Sequence, residues 1–248
     1  MTELVELSNS EHSTLKVLDN AALGFVKQQH ILNIRVKEIT QAISNFPVFL
    51  VKNPHTGMWN ISALTSFEIG QNLFVADNKW NAIFTPTSMQ TFPFFLMKLA
   101  GENKGYTIGI APKEQAFSST QGQSIFQSSG KPSILLSRVK TLLEADIKND
   151  IQSYQFAQKL ESMQLIKRIN LIVQYGDSTV QTLQGMHTID ETKLQQLSND
   201  DLGALNKQGY LMPIHAMLMS ITQLNSLIQK HNNIESNKAI SQVKLALE

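Results

Sequence analysis

Residues 46–65 read FPVFLVKNPHTGMWNISALT. Phe46 to Val51 is an apolar run of strand length, and NPHTG at 53–57 supplies the Asn, Pro and Gly that reverse a chain. Trp59, Ile61 and Ala63 then recur at alternate positions, so the stretch reads as a β-hairpin. Strands continue towards the C-terminus. Leu73 to Ala76 and Trp80 to Phe84 flank the polar turn Asp77-Asn78-Lys79, and Phe92 to Ala100 returns through GENKG (101–105) as Tyr106 to Ala111. This makes five or six strands between 46 and 111, joined closely enough for antiparallel pairing. Towards the N-terminus, Phe25, Ile31, Ile34, Val36, Ile39 and Ile43 form a mixed pattern that turns helical after Val36. Residues 1–20 are polar and read as a loosely packed lead-in.

The C-terminal half changes period. Residues 113–132 form a Ser-, Gln- and Gly-rich loop that Phe117 and Phe126 are expected to pin to the body. Ser133 then caps a helix reaching about Gln164, with Leu135, Val139, Leu142, Leu143, Ile147, Ile151, Tyr154 and Leu160 at spacings of three and four. A break is expected near Asn149, and Glu144 with Lys148 reads as an outer pair. Ile169–Gln174 and Val180–His187 flank YGDST as a second hairpin. Asp190–Gln196 and Asp200–Lys207 read as short helices, Gly209 as a stop, and Pro213 as the opening of a last long helix that frays beyond His231. The expected fold is α+β, a mainly antiparallel sheet from the N-terminal half packed with long amphipathic helices from the C-terminal half. One domain, 1–248, is expected, with loosely packed ends at 1–20 and 232–248.

Composition bounds the function. The 248 residues are 42% hydrophobic and 17% charged, enough for a sizeable core. A net charge of +1 lacks the basic excess of a nucleic-acid binder, so no nucleic-acid partner is expected. The absence of cysteine rules out disulfides, thiolate zinc sites and thiol nucleophiles. Met1–Ser10 carries acids and no basic segment before an apolar one, unlike a signal peptide. No apolar run approaches the roughly 20 residues of a bilayer span, and the expected location is the cytoplasm.

Chemistry-bearing motifs are scarce. There is no G-x-G-x-x-G, P-loop or G-x-S-x-G, and the glycines 101, 105 and 109 suit turns. No two of the six histidines stand at metal-ligand spacing, although His12, His30, His55, His187 and His215 could converge in space. If the chain is an enzyme, His12, His187 and Asp190 are the candidate metal set; Asp190 equally suits a helix entry, and His215 a core or interface position. Asp146 and Asp150, one turn apart, could share a proton or a cation, but a solvated face beside Lys148 explains them more simply. Trp59, Trp80, Phe84, Phe92 and Phe94, with Phe95, concentrate on the strands, where they pack a core or line an apolar ligand pocket. Met212, Met217 and Met219 likewise suit a core or an adaptable binding face. No cofactor is expected.

Several of these blocks resemble the SapC family of bacterial proteins. They are LSNSEHSTLKV (7–17), Glu38 ahead of FPVFLVKN (46–53), IGQNLFVADNKWNA (69–82), Pro86 with FPFFLM (92–97), QGQSIFQSSGKPS (121–133) and LNKQGYLMPIHAMLMSITQLNSLI (205–228). Where that family often carries arginines before the Pro-Phe strand, this chain has Met89, Gln90 and Thr91. The resemblance implies a bacterial origin and a link to cell-surface biology, to TonB-dependent receptors or to halogenase neighbours; it transfers no catalytic motif. The expected function is a non-enzymatic accessory protein that binds a protein or peptide partner, with a homodimer through the long helix as one arrangement. The alternative is a metal-dependent enzyme that modifies a peptide or an amino-acid derivative.

Overall fold

The computed structural model describes residues 4–99, 105–234 and 238–247. Ala100 and the turn residues 101–104 lie outside them. Short elements open the chain: β1 (Val5–Glu6), α1 (Asn9–His12), β2 (Lys16–Val17), α2 (Ala21–Val26) and β3 (Ile31–Ile34), then a 3-10 turn (Val36–Glu38) that runs into α3 (Ile39–Ala42). The hairpin of the opening stretch is β4 (Val48–Lys52) and β5 (Trp59–Leu64). Its turn is closed by Asn53, whose Oδ1 accepts from the backbone N–H groups of His55 and Thr56 at 2.9 and 3.1 Å, while Gly57 takes φ +68°. The ribbon β6 (Val75–Ala76) and β7 (Lys79–Trp80) turns through Asp77 and Asn78, both at positive φ. After α4 (Thr87–Thr91) come β8 (Phe94–Lys98), β9 (Tyr106–Ile110), β10 (Phe117–Ser118) and β11 (Gln123–Ser124).

The C-terminal half holds α5 (Ile134–Ser162), the hairpin β12 (Ile166–Tyr175) and β13 (Val180–Ile189), then α6 (Glu191–Gln195), α7 (Asn199–Lys207), α8 (Leu211–Ser220), α9 (Gln223–Ile234) and β14 (Ile240–Leu247). The fold is α+β and its sheets are antiparallel, as the sequence suggests. The main sheet, ordered β14-β12-β13-β4-β5-β3, nevertheless takes three of its six strands from the C-terminal half. Its halves meet at a seam of two residue pairs, Met186 with Val51 and His187 with Leu50. Helix α8 reinforces the seam, because Ser220 Oγ accepts from Val48 N at 2.9 Å. A smaller sheet, β1-β9-β8, packs apart from it.

Several expectations change. Among its described residues the lead-in is packed, with β1 paired to β9, β2 paired to β10 and β11, and Val17 buried. The tail beyond His231 is a strand as well as a helix end: β14 pairs along β12, and Asn232 grips Ile240 by donating to its carbonyl at 3.0 Å and accepting from its N–H at 2.7 Å. The long C-terminal helix is two, α8 and α9. By length and composition the span Leu211–Ile234 would suffice to cross a membrane; here Ile214, Met217, Leu224 and Leu227 from both helices join the main core. Finally, α5 runs unbroken through Asn149 for 29 residues, about 43 Å at 1.5 Å per residue.

That length has a purpose in the packing. Leu136, Val139 and Leu143 of α5 belong to a core with Phe94, Ile110 and Ile125 of the small-sheet region, with Phe117 and Phe126 half-buried against it. Phe156 and Leu160 belong to the main core with Phe46, Leu50, Ile61 and Leu171. Between the two cores the helix is held by polar groups. Arg35 Nε and Nη2 donate to the two oxygens of Asp146 at 2.8 and 2.7 Å, Nη1 donates to Asp150, and Val36 N donates to Ser153 Oγ at 2.9 Å. The solvated acidic face expected at Asp146 and Asp150 is therefore a clasp, with Asp146 buried. Glu144 lies 3.9 Å from Lys140.

Candidate functional site

A furrow runs beside α5. The 3-10 turn and α3 turn Val36, Ile39 and Ala42 inward, which leaves Lys37, Thr40, Gln41 and Ser44 to form one wall. Helix α5 supplies the other with Gln152, Gln155, Gln158, Lys159 and Ser162, and with Arg138 alone at the opposite end. The turn between α7 and α8 closes it. There Gly209 takes φ +73°, Tyr210 N donates to Leu205 O at 2.9 Å, and the reversal sets Tyr210, Met212 and Pro213 at the rim.

Three adjoining cavities make up the furrow. The wide end, about 810 Å³, is floored by Phe84 and edged by Ile83, Gln90, Lys37 and Arg138. It shares Lys37 and Thr40 with the middle, about 460 Å³. The middle shares Gln155, Gln208 and Tyr210 with the far end, about 580 Å³. The lining is rich in side-chain amides, from Gln41, Gln90, Gln152, Gln155, Gln158 and Gln208. Gln152 Oε1 is buried without a hydrogen-bond partner.

Charge in the furrow is one-sided. Glu38 is its one carboxylate among the described residues, and it is already engaged: Oε1 accepts from Thr87 N and Oγ1 at 2.8 and 2.7 Å, and Oε2 from Arg35 N at 2.7 Å. Lys37, Arg138 and Lys159 form no ion pair among the described residues. Burial against Phe156, whose ring meets Tyr210 edge-on at 5.2 Å, raises the Tyr210 phenol above its ordinary pKa. It stays a hydrogen-bond donor at neutral pH.

The residues singled out in the sequence fall elsewhere for the most part. Of the aromatic group, Phe84 alone reaches the furrow, from the main core. Trp80 lies near Phe46 and Phe74 and donates Nε1–H to Phe84 O at 2.9 Å. Phe92 stacks on Phe25 at 4.2 Å, and Phe94 packs in the second core. Trp59 lies on β5, edge-on to His187 at 4.7 Å with Lys52 Nζ 4.8 Å from its ring centroid. The structure thus joins one residue of the aromatic set to one of the metal set. Both leave a buried nitrogen unpartnered, Trp59 Nε1 and His187 Nδ1.

The metal set does not converge. His12 is buried on α1, with Nδ1 accepting from Ser8 N at 3.1 Å, and Asp190 caps α6 by accepting from Lys193 N at 3.3 Å. Among the described residues no three His, Cys, Asp or Glu side chains stand together as a metal site would need. His215 is exposed on α8, as are Met212 and Met219, whereas Met217 is core. Sequence reasoning missed Lys37, Thr40, Gln155 and Tyr210. Gln155 had one signal, the amide-rich outer face of the long helix; Lys37, Thr40 and Tyr210, which lie on other elements, had none.

Compared with known proteins, the chain matches the family model described as SapC over residues 7–227. No curated protein and no solved structure matches it.

Proposed function

The chain belongs to the SapC family, and we propose that it is a non-enzymatic accessory protein whose furrow along α5 receives a peptide or an extended segment of a protein partner. The observation that carries this reading is the furrow's continuity. Arg138 and Ser162, at its two ends, are 24 positions apart on one helix (162 − 138), which is about 36 Å. An extended chain at about 3.3 Å per residue fills that length with roughly ten residues. A compact metabolite would leave most of it empty.

The lining chemistry agrees. Side-chain amides both donate and accept, as peptide groups do. Acid-base chemistry is poorly supplied, because the described lining residues include no histidine and the one carboxylate is tied to Thr87 and Arg35. The site of action in this proposal is the bacterial cytoplasm, in the surface-receptor or halogenase setting that the family resemblance implies.

The test is a random-peptide display selection on the native protein, with binders measured against Thr40→Trp and Gln155→Trp, each of which fills a junction of the furrow. Peptides of micromolar affinity are expected, losing at least tenfold on both variants. Peptides that bind all three proteins equally, or a selection that yields none, would overturn the proposal.

A further inference from the structure

We propose that the exposed face of α8 binds copper(I) through Met212, His215 and Met219. The three stand at i, i+3 and i+7 on one helix, and at about 100° per residue they fall within about 60° of one another around it. Pro213, Ile214, Ala216, Met217 and Ser220 of the same helix are buried. Met212 is 70% exposed and Met219 65%, and His215 is exposed between them, so the core does not use these side chains. Among the described residues none of the three side chains takes part in a hydrogen bond or an ion pair.

The donor types select the ion. Two thioethers and an imidazole form a soft set, and thioethers select copper(I) where carboxylates and carbonyls suit magnesium, calcium or manganese. Zinc also takes imidazole, but it asks for further nitrogen, thiolate or carboxylate ligands. The stretch from Gln208 to Gln229 contains no Asp or Glu and no histidine besides His215. Nor does it contain Lys or Arg, so α8 carries no charge of its own to repel a cation. A thioether site needs no carboxylate, and it stands apart from the His, Cys, Asp and Glu clusters that the described residues lack.

The helix brings the donors within reach of one ion. Residues three and four apart have Cβ atoms about 5–6 Å from each other. Side chains lean towards the helix N-terminus, so His215 leans over Met212 and Met219 over His215. Each thioether arm turns about three bonds, which lets both sulfurs meet an ion held at the imidazole. Met219 also lies in the last turn of α8, where the carbonyl end of the helix dipole favours positive charge.

The experiment titrates the full chain, labelled at the methionine methyls, with the metal alone, so its outcome is independent of the peptide-binding reading. Silver(I) nitrate in chloride-free buffer is the redox-inert probe, followed by copper(I) kept reduced with ascorbate under argon. Both ions should saturate at about one equivalent, shifting the methyls of Met212 and Met219 together with the ring protons of His215. The methyl of Met58, which is 46% exposed on another element, should stay in place. The paired variant Met212→Leu with Met219→Leu, at exposed positions, should weaken both ions about tenfold without moving the thermal midpoint. Zinc should leave both methyls unmoved. Failure to saturate, an equal shift at Met58, an equal response to zinc, silver binding without copper(I) binding, or unchanged affinity in the paired variant would each overturn the inference.

Discussion

Burial on β13 beside Trp59 lowers the pKa of His187 below its ordinary value, and the positive charges of Arg168 and Lys52 push the same way. The folded protein therefore holds this imidazole neutral at a pH where the unfolded chain protonates it. The unfolded state then binds more protons, so stability falls as pH drops through the ordinary histidine pKa of about 6.5 and levels off below the folded value. His30, lowered by its own burial, acts in the same sense. The loss of stability between pH 7 and pH 5, read from urea midpoints, should be smaller in His187→Gln than in the native protein; an equal loss would contradict the assignment. At this scale the sequence was legible wherever chemistry is local. Ser133 caps α5, Asp190 caps α6 and Gly209 ends the turn after α7, each through backbone groups within a few residues. Asp146 and Asp150 were misread because their partner, Arg35, lies 111 and 115 residues away.

At the scale of elements, α5 is the member on which both cores depend. An uninterrupted helix whose ends serve different cores needs its middle fixed to the body, and the Arg35 clasp does this where apolar contacts lapse. Asp146 is 10% exposed at its side chain and Asp150 60%, so the two halves of the clasp should differ in strength. Arg35→Met leaves a buried carboxylate without its cation and should cost about 2–3 kcal/mol. Asp150→Asn should cost no more than about 1 kcal/mol. Urea unfolding of both variants checks the order, and equal costs would mean that the clasp is a surface pair. The hairpins were legible because strand alternation and turn chemistry agree in β4–β5 and β12–β13. Their membership of one sheet was not, since it hangs on two pairs formed between residues more than 130 positions apart (186 − 51 = 135). Strand β14 escaped because its alternation, Val243 and Leu245, is brief and follows a polar stretch that reads as a fraying helix.

For the whole molecule, the furrow arises from assembly. Its walls come from the 3-10 turn with α3, the outer face of α5 and the α7–α8 turn, which are distant in sequence. No local motif announces it, because glutamines on a helix face look like ordinary solvated residues until a second wall stands opposite. Of the aromatic residues that drew notice in the sequence, Phe84 and Phe94 sit in the cores, where burial of large rings gains most, and Trp59 and Trp80 are half-buried against the main one. Methionine methyl NMR tests the peptide-binding furrow most directly, because the nine methionines include natural reporters. Met212 lines the furrow and is 70% exposed, Met217 is fully buried, and Met58 and Met219 are exposed away from it. On titration with a display-selected peptide, the methyl of Met212 should shift and saturate while those of Met58, Met217 and Met219 stay in place. A saturating shift at Met58 or Met219 with Met212 unmoved would contradict the account.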